Sequence, residues 1–189
     1  MNICITGSNG MLGSVLTLIC LSKGWNVESH KGHNTGDLLD EIHLKKFASS
    51  LPELDSLICC AGGKDEDTDF NSFQKMINKN LFATHLTCKH LIPKMKKNST
   101  IITIGSVAGC FGQDQGIFYA ASKAALHNYS RCLAKQLIEK KITVNCLALG
   151  TLTNSNLTNI AESITEFCKF SSINGQVIRI DNGHHTFAC

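Results

Sequence analysis

Short apolar runs alternate along this chain with longer stretches of helical period. Residues 2–6, 25–30, 54–60, 100–104, 143–147 and 176–180 are short runs, and several are apolar at nearly every position. Strands of a parallel sheet covered on both faces read this way. Between the runs, 14–23, 41–50, 70–97, 119–139 and 160–170 read as helices, the third long enough to be two pieces. Gly24 and Pro52 supply stop signals for the first two. The alternation predicts an α/β fold, a doubly wound parallel sheet of about six or seven strands formed by residues 1–189 as one domain.

Composition narrows the function classes. An apolar share of 43% suffices for one full core. The net charge is +3 without a long basic run, so the footprint of a nucleic-acid binder is missing. The densest basic patch, Lys94, Lys96 and Lys97, falls where a helix is expected to end. No stretch approaches the roughly 18 apolar residues of a membrane span. The opening Met1-Asn2-Ile3-Cys4-Ile5 lacks the basic region of a secretory signal. Ten cysteines are scattered, with no C-x-x-C pair, and read as small buried hydrophobes in a reducing cytoplasm. The eight histidines, including the His184-His185 doublet, lack metal-ligand spacing, so no metal is expected.

Two stretches carry chemistry. Gly7, Gly10 and Gly13 follow the first strand and open the first helix. Residues without a Cβ let the backbone approach a pyrophosphate, and the free N–H groups of the helix start favour its charge. No Gly-Lys-[Ser/Thr] ending follows, which argues against an NTPase loop. Further on, Tyr119 and Lys123 stand four apart at the start of a helical stretch and so share one face. An ammonium one turn from a phenol favours the phenolate and brings the phenol toward acid–base work at neutral pH. Beyond the second strand lie His30, Lys31 and His33, basic groups suited to a 2′-phosphate, so the cofactor expected is NADP(H) ahead of NAD(H); a shift of two positions would put Glu28 at the ribose instead.

Taken together these residues resemble the short-chain dehydrogenase/reductase superfamily, as a compact member with a Rossmann-type NAD(P)-binding domain. Thr6-Gly7-Ser8-Asn9-Gly10-Met11-Leu12-Gly13 is similar to its cofactor turn, and Asp37-Leu38 to the pair at the adenine. Cys60-Ala61-Gly62 stands where the family has Asn-Ala-Gly. Asn80, Ser106, Tyr119 and Lys123 match its catalytic tetrad in order, and Val144-Asn145 with Gly150 resembles the segment that meets the nicotinamide. Gly175-Gln176 and Asp181-Asn182-Gly183 resemble its closing motif. The resemblance implies cofactor contacts from Gly7, Asn9, Gly10, Met11, Leu12, His30, Lys31, Asp37, Leu38, Ala61, Gly62, Tyr119, Lys123, Gly150 and Leu152. It implies a small-molecule carbonyl or alcohol substrate, with Tyr119 as proton donor, Ser106 bonding the same oxygen, Lys123 lowering the Tyr119 pKa and bonding the nicotinamide ribose, and Asn80 holding a water that relays protons.

The sequence also departs from that pattern. Leu149 replaces a proline, and Cys59-Cys60 replaces asparagines. The second crossover and the substrate-covering segment 151–170 are short, which predicts a small lid and an open site. Two alternatives stay in view: a non-catalytic nucleotide-binding protein of the same fold, and a sugar-nucleotide epimerase or dehydratase, suggested by the Gly-x-x-Gly-x-x-Gly spacing. Phe111, Phe118 and Leu152 are expected along an apolar part of the substrate wall. The helices over 70–97 and 119–139 resemble the pair that joins subunits in this superfamily, so a homodimer or homotetramer is expected. Phe82, Leu86, Leu133 and Leu137 stand there as core or interface positions.

Overall fold

In the computed structural model, residues 1–32, 35–64, 69–114 and 116–184 are described. His33, His185 and Cys189 lie outside them, as does most of the acidic stretch after Lys64. Six strands form one sheet: β1 (Asn2–Thr6), β2 (Asn26–His30), β3 (Leu54–Cys59), β4 (Met95–Ser106), β5 (Thr143–Leu149) and β6 (Val177–Ile180). Their order is β2-β1-β3-β4-β5-β6, and every neighbouring pair is parallel. The chain steps from β1 outward to β2, then returns past β1 to β3. That reversal is the switch point at which open α/β sheets bind ligands.

Alternation along each strand feeds two cores. On β1, Ile3 and Ile5 join Leu12, Leu16, Leu157, Ile160 and Ile164 on one face. These come from α1 (Met11–Ser22) and α7 (Leu157–Phe167). Cys4 points the other way, into a cluster with Leu57, Leu91, Ile101, Leu133 and Val144. There α2 (Glu41–Ser50), α4 (Ala83–Leu91) and α6 (Ile117–Gln136) pack. The two periods, 2 for the strand and 3.6 for the helices, bring apolar rows together on both faces of the sheet.

Several sequence expectations are corrected here. The 70–97 segment is not simply helical. It runs as α3 (Phe70–Ile77), a wide turn over Asn78–Phe82, then α4, and a tight turn Ile92–Lys94 delivers it into β4. In the wide turn the Ala83 N–H reaches back five residues to the Asn78 carbonyl. Lys96 and Lys97 therefore lie in β4, and Lys96 pairs with Asp55 at 2.8 Å. A four-residue helix, α5 (Ala108–Phe111), interrupts the expected loop before α6. The short crossover is as expected: β2 leads through a 31–40 connection straight to α2 and then to β3, and β2 is the outer strand. Asp40 caps α2 by accepting from the Ile42 and His43 N–H groups, and Asp69 caps α3 through Ser72.

Candidate active site

The carboxyl ends of β1 to β5 open onto one cavity of about 1490 Å³. Gly7, Lys31, Ala61, Ser106 and Gly150 each follow or end a strand along its floor.

The glycine turn is built by close approach. Gly7 has φ +70, a left-handed backbone that a side chain would strain, and a Cβ there would sit 2.7 Å from Ala61 Cα. A Cβ on Gly13 would overlap the Gly7 carbonyl. Gly10 caps α1 with no side-chain hydrogen bond, so the first N–H groups of the helix face the cavity without a protein side chain to satisfy them. Backbone N–H groups at a helix start suit an anionic group such as a pyrophosphate, and Gly7, Asn9, Gly10, Met11 and Leu12 all line the cavity there. Gly13→Ala is expected to force the turn apart, lowering the urea midpoint by the equivalent of about 1–3 kcal/mol and weakening cofactor binding more than about tenfold; an unshifted midpoint would show that the contact is not tight in solution.

At the end of the cavity beside β2, Lys31, Asp37 and Leu38 line the wall. Asp37 also accepts from the Leu39 N–H at 2.9 Å, which folds the approach to α2. His30 is a correction. It was expected to face a 2′-phosphate, but its ring is fully buried and does not line the cavity. Its Nδ1 accepts from the Gly32 N–H at 3.3 Å, and its Nε2 meets His43 Nε2 at 3.0 Å. Burial and the neighbouring His43 hold its pKa below the ordinary histidine range. His30 therefore braces the loop that carries Lys31.

Of the four residues expected from the sequence to be catalytic, Tyr119, Lys123 and Ser106 line this cavity and Asn80 does not. Tyr119 is half-buried on the first turn of α6 and lines the cavity. Lys123, one turn on, is 5% exposed; its Nζ lies 5.8 Å from the Tyr119 ring centre and donates to the Ile104 carbonyl at 2.7 Å. Burial lowers its pKa to about 8. Ser106 ends β4, and its Oγ accepts from the Ala108 N–H at 3.2 Å, which leaves the hydroxyl proton free to donate.

Asn80 is held by its side chain from several sides. Within the wide turn it is fully buried. Its amide exchanges two bonds of 2.9 Å with the Gly63 backbone, and Nδ2 also reaches Ser122 Oγ at 3.0 Å. Both amide protons are spent, so the side chain clamps the 61–63 loop against α6. Gly62 fits between Asn80 and Lys123 because it lacks a Cβ, which would stand 2.8 Å from Asn80 Oδ1 and 3.5 Å from Lys123 Nζ.

On the substrate side, Leu152 lines the cavity but Phe111 and Phe118 do not. Phe118 stacks edge-on against Phe73 at 5.2 Å, and Phe111 lies under Arg179. Val107, Gln113 and Lys79 also line the cavity and were not foreseen. Lys79 had a legible signal, its place directly before Asn80. Gln113 had none, since its Nε2 caps the Gly116 carbonyl through a loop whose shape the sequence does not dictate.

The Rossmann-type sheet thus carries a glycine turn at its switch point, with Tyr119, Lys123 and Ser106 along the same cavity. The short chain dehydrogenase family model matches residues 35–165. The chain belongs to the short-chain dehydrogenase family. It is 38% identical over 130 residues to the uncharacterized oxidoreductase YghA of Escherichia coli, covering 62% of this chain and 43% of that protein. It is 31% identical to the 3-oxoacyl-[acyl-carrier-protein] reductase of Bos taurus over 64% of this chain and 51% of that one. The chain thus spans about half the length of these two relatives. Its fold superposes on the structure of ElxO with NADP bound at a TM-score of 0.86, with 20% identity and 98% of each chain covered.

Proposed function

We propose that this chain binds NADPH in preference to NADH and reduces a carbonyl group on a small molecule. The observation that carries the reading is the meeting of Tyr119, Lys123 and Ser106 at the cavity wall that also holds the glycine cradle. When bound, the nicotinamide supplies the hydride that reaches the carbonyl carbon. Ser106 donates its free hydroxyl proton as a hydrogen bond to the carbonyl oxygen and orients it, and that bond strengthens as the oxygen gains charge. Tyr119 gives its phenolic proton to the same oxygen, so the carbonyl becomes an alcohol and the phenolate is left beside the Lys123 ammonium. Ala61, Gly62, Gly150 and Leu152 frame the nicotinamide end, and Asn80 keeps the 61–63 loop in place for it. Among the described lining residues the one carboxylate is Asp37, on the β2 side, and Val107, Ala108 and Leu152 give the cavity an apolar stretch.

Lys31 supports the cofactor preference. It is an exposed cation beside the end of β2, with its N–H held by Thr35 Oγ1 at 2.8 Å. Titration followed by reduced-nicotinamide fluorescence tests this reading. NADPH should bind more tightly than NADH, and Lys31→Glu should weaken NADPH more than about tenfold while leaving NADH within about threefold. Absence of binding by either dinucleotide at millimolar concentration would remove the oxidoreductase reading altogether.

Assembly as a homodimer or homotetramer draws support from the α3–α6 surface. Leu86, Leu133 and Leu137 are buried within the chain, whereas Phe82 is 48% exposed. Two aromatic runs cross from the 70–91 region onto α6: Phe70–Phe73–Phe118 and Phe82–His85–Tyr129. A cytoplasmic location is supported by nine free cysteines among the described residues. No helix of the described residues is long and apolar enough to cross a membrane.

A further inference from the structure

One buried ionisable side chain beside the site has no part in the steps above. His127 stands on α6 one turn beyond Lys123, so Tyr119, Lys123 and His127 recur every four residues along one face. It is 4% exposed. Its Nε2 accepts from the Ser106 N–H at 3.4 Å, and its Nδ1 faces Cys110 Sγ at 3.9 Å. A nitrogen that accepts carries no proton, so the ring proton sits on Nδ1.

The ring has a slot made for it. A Cβ on Gly105 would come within 2.6 Å of Nε2, and one on Gly109 within 2.8 Å of Cε1. These glycines flank Ser106 on either side, the first ending β4 with it and the second inside α5. The imidazole thus fills the space between the strand end, α5 and α6, and touches each. Burial first, then the cations Lys123 and Arg131, push its pKa down to about 4. The ring stays neutral and keeps its acceptor at neutral pH.

We infer that His127 is a positioning residue for Ser106: its neutral imidazole fixes the Ser106 main chain, and through it the direction of the hydroxyl that meets the substrate oxygen. The inference rests on the reductase reading of the same site. Without the acceptor the buried Ser106 N–H would be unpaired, and the β4–α5 corner would move to satisfy it. A displacement of about 1 Å at a group that orients the reacting atom costs up to about a hundredfold in rate.

The test combines kinetics with a measurement that needs no turnover. His127→Leu fills the slot without an acceptor and should lower kcat about 10- to 100-fold, with KM and the NADPH Kd each within about threefold. His127→Gln places an amide oxygen near the Nε2 position and should recover most of kcat. A purely space-filling role predicts the reverse ranking, with leucine tolerated at least as well as glutamine. In the protein without cofactor, 15N NMR of the histidine rings at pH 7 should show His127 as the Nδ1–H tautomer. An Nε2–H or doubly protonated ring, or a leucine variant with wild-type kcat, would overturn the role of His127. A wild type that binds NADPH but reduces no carbonyl across a ketone panel would instead overturn the reductase reading, and the assigned role with it, whatever the tautomer.

Discussion

Tyr119→Phe should lower kcat for carbonyl reduction by about a thousandfold and change the NADPH Kd by less than about threefold. The substitution removes one oxygen and keeps the ring. The ring packs beside Lys123, whose Nζ lies 5.8 Å from its centre, so the shape of that wall survives. What disappears is the only phenolic proton in the cavity lining, since the other tyrosine of the chain, Tyr129, faces His85 away from it. Ser106 would still orient the carbonyl oxygen, and residual turnover measures what orientation alone contributes. Stopped-flow oxidation of NADPH gives the chemical step directly. Turnover equal to wild type in that variant would take Tyr119 out of the mechanism.

Lys123→Met should give a more stable protein that is nearly inactive. A buried ammonium held by one carbonyl, that of Ile104, is costly to keep charged. The sign follows from the proton balance. Unfolded, this lysine holds its proton up to 10.5; folded, it releases it at about 8. Between those values the unfolded chain binds more protons, so wild-type stability rises with pH there, and at pH 7 the charge costs about 3 kcal/mol. Methionine has nearly the same length and no charge. Allowing for the carbonyl it leaves unpaired, a net gain of about 1–2 kcal/mol in urea unfolding at pH 7 is expected. The gap between variant and wild type should narrow from pH 8 to pH 10. Turnover should fall at least about a hundredfold, because no cation remains beside the Tyr119 phenolate. A destabilised methionine variant with a pH-independent gap would show that the lysine holds the fold rather than the chemistry.

Much of this was legible in the chain. Strands announced themselves by apolar runs such as 54–60 because both faces of the sheet are covered, and the glycine turn by a spacing that only close backbone contact requires. Tyr119 and Lys123 stood out by their spacing of four at a helix start, and Ser106 by the family resemblance at the end of a strand. What could not be read depends on side chains meeting across the fold. His30 looked like a phosphate ligand because its position is right; that His43 claims its ring follows from α2 packing back over β2. Phe111 and Phe118 looked like substrate wall because they are apolar and nearby, but α5 and α3 turn them elsewhere. The break in the 70–97 helix carried no proline or glycine at Asn78–Phe82 to mark it.

That wide turn solves a problem of rotation. Ser72, Met76, Asn80 and Thr84 are buried at every fourth position. A regular helix has 3.6 residues per turn, so each step of four overshoots by about 40°, and three steps would swing the row about 120° away from the sheet. One slackened turn takes up the excess and returns the following residues to phase. The helix thus behaves like a screw with a single stretched thread: removing Lys79 would restore an even thread and keep α4 seated, but would turn Asn80 off the loop it clamps.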